Sequence, residues 1–171
     1  MNRDELLKNL IEADKDIFKS FGEHKEIEIV IAGGSSLLIR GLLLRQTYDI
    51  DTFNFSQEIE KIFAQYDINS RIMAHSDSLA ENYEDRLEDV PFETIGITYK
   101  LLSLEDLVIM KLHSHRQVDY NDISNKAVVD ALDWNKLETI ISSGEVDVSF
   151  NQRRYQEFLD RYVKYKKDNG K

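Results

Sequence analysis

The sequence contains no cysteine, which excludes disulfides and thiolate metal sites. It has one proline, Pro91. No apolar run approaches the roughly 18 residues that a bilayer-spanning helix needs, and the first residues carry no cluster of targeting charges. A soluble, cytoplasmic protein with no membrane partner is the expectation. Positive charge is also scarce, with 22 Lys/Arg against 32 Asp/Glu and a net charge of −10. That balance argues against strong unspecific binding to nucleic acid. Residues 152–171 run the other way, with seven Lys/Arg and three Asp/Glu giving +4, which leaves −14 on the rest. This basic stretch reads as a solvated helix end in preference to a docking site for an acidic partner or RNA.

What is present is a chain of 171 residues with 42% hydrophobic content, enough for one well-buried core. Asp4 to Ser20 has apolar residues at helical spacing and is closed by Gly22. Ile27 to Ala32 reads as a buried strand, Ser36 to Leu44 as a short apolar helix, and Asp49 to Phe55 as a second strand. Ser56 is expected to cap a helix through Gln65. The signal then weakens, with a candidate strand over residues 68–74 and a polar stretch from Asp77 to Leu87. Phe92 to Leu102 reads as a strand, and Ser103 with Asp106 as a capping box that opens a helix from Leu104 to about His115. The remainder reads as helical: Asp119 to Leu132, then Asp133 as a cap with its helix to Ser143, and about Asn151 to Lys166. No internal repeat or low-complexity linker appears. The expectation is a single α/β (α+β) domain over 1–171, a small mixed sheet flanked by helices to about residue 102 with a helical remainder from about 103.

The stretch from Glu28 to Phe55 carries the chemistry. In Gly33-Gly34-Ser35, glycine lets backbone N–H groups approach a ligand closely, and a helix start attracts phosphate. Asp49 and Asp51 are two residues apart on the second strand. They therefore project from one face while Ile50 turns to the other. Paired carboxylates repel unless a cation lies between them, and Mg²⁺ bridged to phosphate oxygens is a common solution. Taken alone, the glycines could be a plain turn and the aspartates two solvated residues. Their succession across one strand–helix–strand unit is more specific. Farther on, Lys111 follows Leu104, Leu107 and Val108 at inward-facing helical spacing. A lysine there needs an anionic partner, or snorkels at the rim of the core. Asp119 and Asp122 share a helix face, with Asp119 a candidate N-cap. His113 and His115, two apart on a helix, point away from each other and make a poor metal pair.

Gly33-Gly34-Ser35 followed by Arg45-Gln46-Thr47-Tyr48-Asp49-Ile50-Asp51 resembles the first two motifs of the nucleotidyltransferase fold, in the branch that contains AbiEii-type toxins. Lys111 on its helix and Arg116-Gln117-Val118-Asp119-Tyr120-Asn121-Asp122 resemble the later motifs of that branch. The resemblance covers roughly residues 27–130. It implies transfer of a nucleotide from an NTP to an RNA or protein acceptor, with Mg²⁺ or Mn²⁺ as cofactor and an antitoxin-like protein as a possible partner. It implies that Asp49 and Asp51 bind the metal, and that Gly33, Gly34, Ser35, Thr47 and Arg116 contact the nucleotide. Lys111 would offset phosphate charge, and Asp119 would complete the same site. The alternative is a non-catalytic binding or regulatory module on this fold. Many members of the wider superfamily place a third metal-binding carboxylate on a later strand, where the candidate here is Glu93.

Overall fold

The first helix, α1, runs over Arg3–Phe21 in a computed structural model that describes residues 1–53, 57–70, 77–146 and 152–171. Its start is fixed by a capping box in which Asn2 accepts from the Glu5 N–H while the Glu5 carboxylate accepts from the Asn2 N–H. Gly22, at φ 85°, ends it. Leu6, Leu10, Ala13 and Ile17 line its buried face.

The chain divides into two compact units, Met1–Ala74 with Leu87–Leu102, and His75–Arg86 with Ser103–Lys171. The first holds α1, β1 (Glu28–Ile31), α2 (Gly33–Ile39), β2 (Ile50–Phe53), α3 (Gln57–Ala64), β3 (Ile68–Asn69), β4 (Glu88–Asp89) and β5 (Thr98–Leu101). The strands form one mixed sheet in the order β3-β2-β1-β5-β4. β1 pairs antiparallel with β2 and parallel with β5, which puts the most apolar strand at the centre. β2 and β3 are parallel, with Asp51 opposite Asn69. The expected Ser56 cap, the end of the second strand at residues 54–55 and the continuation of β3 over residues 71–74 lie outside the described residues.

The extended reading over Phe92 to Leu102 holds only for Thr98–Leu101. Ahead of it, the buried carboxylate of Asp14 on α1 accepts the backbone N–H groups of Ile95, Gly96 and Ile97 at 2.6, 2.9 and 2.9 Å. The Lys25 ammonium takes the carbonyls of Thr94 and Ile97. With these groups committed to side chains, and the Gly96 carbonyl to the His24 N–H, residues 95–97 do not join the strand ladder. A Cβ on Gly96 would lie 2.7 Å from the Asp14 carbonyl oxygen, so only glycine allows α1 this close.

The second unit is built around α4 (Leu104–His113), which α5 (Gln117–Ile123), α7 (Trp134–Ser142) and α8 (Gln152–Asp168) pack against. α4 is buried from Leu104 through Leu112, as a helix apolar on nearly every side must be. The Ser103 hydroxyl accepts from the Asp106 N–H as its N-cap. Asp106, fully buried, is gripped by the Arg86 guanidinium through two bonds of 2.9 and 2.8 Å, while Arg86 also reaches Glu145 at 2.7 Å. Arg86 belongs to a 3₁₀ turn, Tyr83–Arg86, within the stretch whose sequence is merely polar. The helix expected over Asp119 to Leu132 is two, α5 and α6 (Lys126–Ala131), because the Asn125 side chain caps the Ala127 N–H and restarts the winding. Within the basic stretch, Arg161 donates to the last carbonyls of α4, and Arg153, Arg154, Lys164 and Lys166 each pair with a carboxylate at the solvent-exposed surface.

Candidate functional site

In the sheet unit, the end of β1, the start of α2 and the start of β2 meet at one corner. Ala32, the residue before α2, donates its N–H to the Asp51 carbonyl at 3.0 Å, extending the β1–β2 pairing up to the turn. That places the Asp51 side chain against Gly33. Gly33 has φ +60°, which favours glycine, and a Cβ there would lie 2.6 Å from Asp51 Oδ2, so any other residue would have to displace that carboxylate. Gly34 is different. Its backbone is ordinary for any residue, and a Cβ there would meet only the tip of Arg45 at 3.3 Å.

Ile50 and Thr52 are fully buried while Asp49 and Asp51 are half-buried, which is the alternation a strand imposes. Asp49 stands one residue ahead of β2. Its Oδ2 accepts from Asn69 Nδ2 at 3.0 Å. Ser35, fully buried, donates its hydroxyl to the Ala32 carbonyl at 2.8 Å, and the Thr47 hydroxyl donates to the Asp49 carbonyl at 3.1 Å. Both hydroxyls shape the two turns that flank the carboxylates. Leu42 to Tyr48 forms a largely exposed loop that carries the Arg45 guanidinium to Gly34. Glu93 is exposed and lies in the segment before β5.

Carboxylate oxygens are the donors that Mg²⁺ and Mn²⁺ prefer. Among the described residues no three His, Asp or Glu side chains converge to hold a metal by themselves. A two-carboxylate corner facing a glycine turn suits a cation that completes its shell with water and phosphate oxygens, the usual manner of Mg²⁺.

In the helical unit, Lys111, Asp119 and Asp122 form a buried trio. The Lys111 ammonium, 4% exposed, donates to Asp119 Oδ1 at 2.7 Å and Asp122 Oδ2 at 3.0 Å. Asp119 Oδ2 also accepts from the Ser114 hydroxyl at 2.6 Å and lies 3.6 Å from the exposed Arg116 Nε. Burial pushes the Asp119 carboxyl up, but the Lys111 charge and hydrogen bond, with Ser114 and Arg116, outweigh it and hold the group below its ordinary value. Asp119 is not the N-cap of α5, a place taken by Arg116. His113 stacks on Phe158 with ring centroids 4.3 Å apart. Burial, helped by the charges of Arg154 and Arg161, lowers its pKa to about 4.

A family model described as nucleotidyltransferase of unknown function (DUF6036) matches residues 8–169. The chain belongs to that family. No curated protein and no solved structure matches it. For this family member, the match spans both the glycine–aspartate corner and the buried trio.

Sequence reasoning passed over two residues at the corner. Arg45 was inside the quoted motif, yet nothing local shows that its side chain returns to Gly34. Asn69 had no signal at all, because β3 is two residues long and follows a weakly patterned stretch. Lys111 was legible as a lysine needing an anionic partner, and Asp119 and Asp122 are those partners.

Proposed function

We propose that this chain is a divalent-cation-dependent nucleotidyltransferase that moves a nucleotide from an NTP to a hydroxyl of an RNA or protein acceptor, in the manner of AbiEii-type toxins. The observation that carries the reading is Asp51, whose carboxylate is seated against the Gly33 turn where any other residue would collide with it. Asp49 and Asp51 would hold Mg²⁺ or Mn²⁺. When bound, the cation supplies charge to offset the triphosphate and the departing pyrophosphate. Gly33 and Gly34 keep side chains away from the phosphates, and Arg45 adds a positive charge beside Gly34. Ser35 and Thr47 would contribute through the turns they hold, and Arg116 as an exposed cation at the head of α5.

Lys111 enters the proposal as a positioning residue within the helical unit. Its charge is already offset by two carboxylates, so its contribution is to keep Asp119 ionised and fixed beside Ser114.

The test is incubation with labelled NTPs, Mg²⁺ and total RNA or cell extract, comparing wild type with Asp51→Asn. Label transfer by wild type, lost by about 10²-fold or more in the variant, is the expected result for a transition-state group. Mg²⁺–NTP binding without transfer to any acceptor would favour the non-catalytic binding module. Equal transfer by both proteins would overturn the assignment of Asp51.

A further inference from the structure

We infer that Asn69 is the positioning residue of the carboxylate pair: it holds Asp49 in the orientation in which a divalent cation can be bound, and does so without adding charge. The inference rests on the reading of Asp49 and Asp51 as cation ligands. Two observations support it. Asn69 Nδ2 donates to Asp49 Oδ2 at 3.0 Å. An ionised carboxylate can only accept, so the nitrogen end of the amide must be the end that faces it. Asn69 also pairs with Asp51 in the parallel register of β2 and β3, which puts it beside both carboxylates of the corner. A separate bond, from Thr52 Oγ1 to the Asn69 carbonyl at 3.0 Å, ties the two strands together without setting where the amide points.

The residue type suits the task. Two carboxylates close together already repel. A third at position 69 would add to that repulsion, and an apolar residue would take away the bond to Asp49 Oδ2. A neutral amide supplies that bond without adding charge. Partners that orient a metal-binding side chain in this way commonly change metal affinity by about 10- to 100-fold when removed.

The experiment is a Mn²⁺ titration followed by electron paramagnetic resonance, with a nonhydrolysable NTP analogue present, on wild type, Asn69→Ala, Thr52→Val and Asp51→Asn, each also melted. Thr52→Val removes the bond that pins the β3 backbone but leaves the amide in place, so it reports what loosening the strand pair does by itself. Asn69→Ala should bind Mn²⁺ at least about tenfold more weakly, while Thr52→Val, with a similar or larger loss of melting temperature, should bind like wild type. Wild-type affinity in Asn69→Ala, or an equal loss in Thr52→Val, would overturn the inference. The underlying site is judged separately: if Asp51→Asn loses Mn²⁺ and Asn69→Ala does not, the site stands and the role of Asn69 falls. If wild type binds no Mn²⁺, both fall together.

Discussion

Replacing Gly33 by alanine should damage both stability and cation binding, while the same change at the next residue should damage neither. At Gly33, φ is +60°, and holding a residue with a Cβ there costs about 1–2 kcal/mol. The new methyl would also lie 2.6 Å from Asp51 Oδ2, well inside contact distance. Relief requires Asp51 to leave its rotamer, at about 0.5–1.5 kcal/mol, or β2 to move. Together these come to about 1.5–3.5 kcal/mol. In a chain of this length that lowers the melting temperature by about 3–14 °C. Because the displaced group is the candidate ligand, Mn²⁺ affinity should fall by at least about tenfold as well. At Gly34 a Cβ meets only the mobile tip of Arg45 at 3.3 Å, and the residue lies in the first turn of α2 with ordinary φ. Gly34→Ala should therefore be neutral or stabilising by about 0.5 kcal/mol, since alanine loses less backbone entropy in a helix. Urea unfolding and Mn²⁺ titration on the two variants side by side provide the assay. If Gly33→Ala melts and binds like wild type, or Gly34→Ala is the more harmful of the two, the account of this corner is wrong.

Lys111→Met should destabilise the protein by about 3–5 kcal/mol, because it leaves Asp119 and Asp122 buried without their cation; a loss under about 1 kcal/mol in urea unfolding would show that the trio is not the pin it resembles. Adding Asp119→Asn and Asp122→Asn to that variant should recover part of the loss. The lowered pKa of His113 predicts acid sensitivity with a definite sign. Its folded value of about 4 lies below the ordinary 6.5, so the unfolded chain binds the extra proton first. The stability His113 confers is full above pH 6.5 and is lost as pH falls through that window toward 4. His113→Phe, which keeps the stack on Phe158, should flatten the change in urea midpoint between pH 7 and pH 5; an unaltered slope would place the acid-sensitive group elsewhere.

Sequence alone determined whatever depends on residues close along the chain. The two-residue spacing of Asp49 and Asp51 around buried Ile50 and the caps at Ser103 and Asp133 are local signals present in the fold, whereas Gly33-Gly34-Ser35, expected as a turn ahead of a helix over Ser36 to Leu44, forms the first turn of α2, which ends at Ile39. The need of Lys111 for an anionic partner was also legible from its place on an otherwise apolar face. Tertiary structure decided what local signals leave degenerate. The two glycines look alike in the sequence, and the left-handed φ of the first together with the approach of Asp51 across the β1–β2 pairing makes it the more constrained of the two. Phe92 to Ile97 has a strand-like composition, yet Asp14, some 80 residues earlier, takes the N–H groups of Ile95, Gly96 and Ile97. Asn69 meets Asp49 because β3 docks beside β2, and a two-residue strand carries no periodicity from which that docking could be read. Arg86 reaches Asp106 for the same kind of reason. In each case the deciding contact joins residues far apart in the chain, where the buried hydrogen-bonding groups of one segment are satisfied by another.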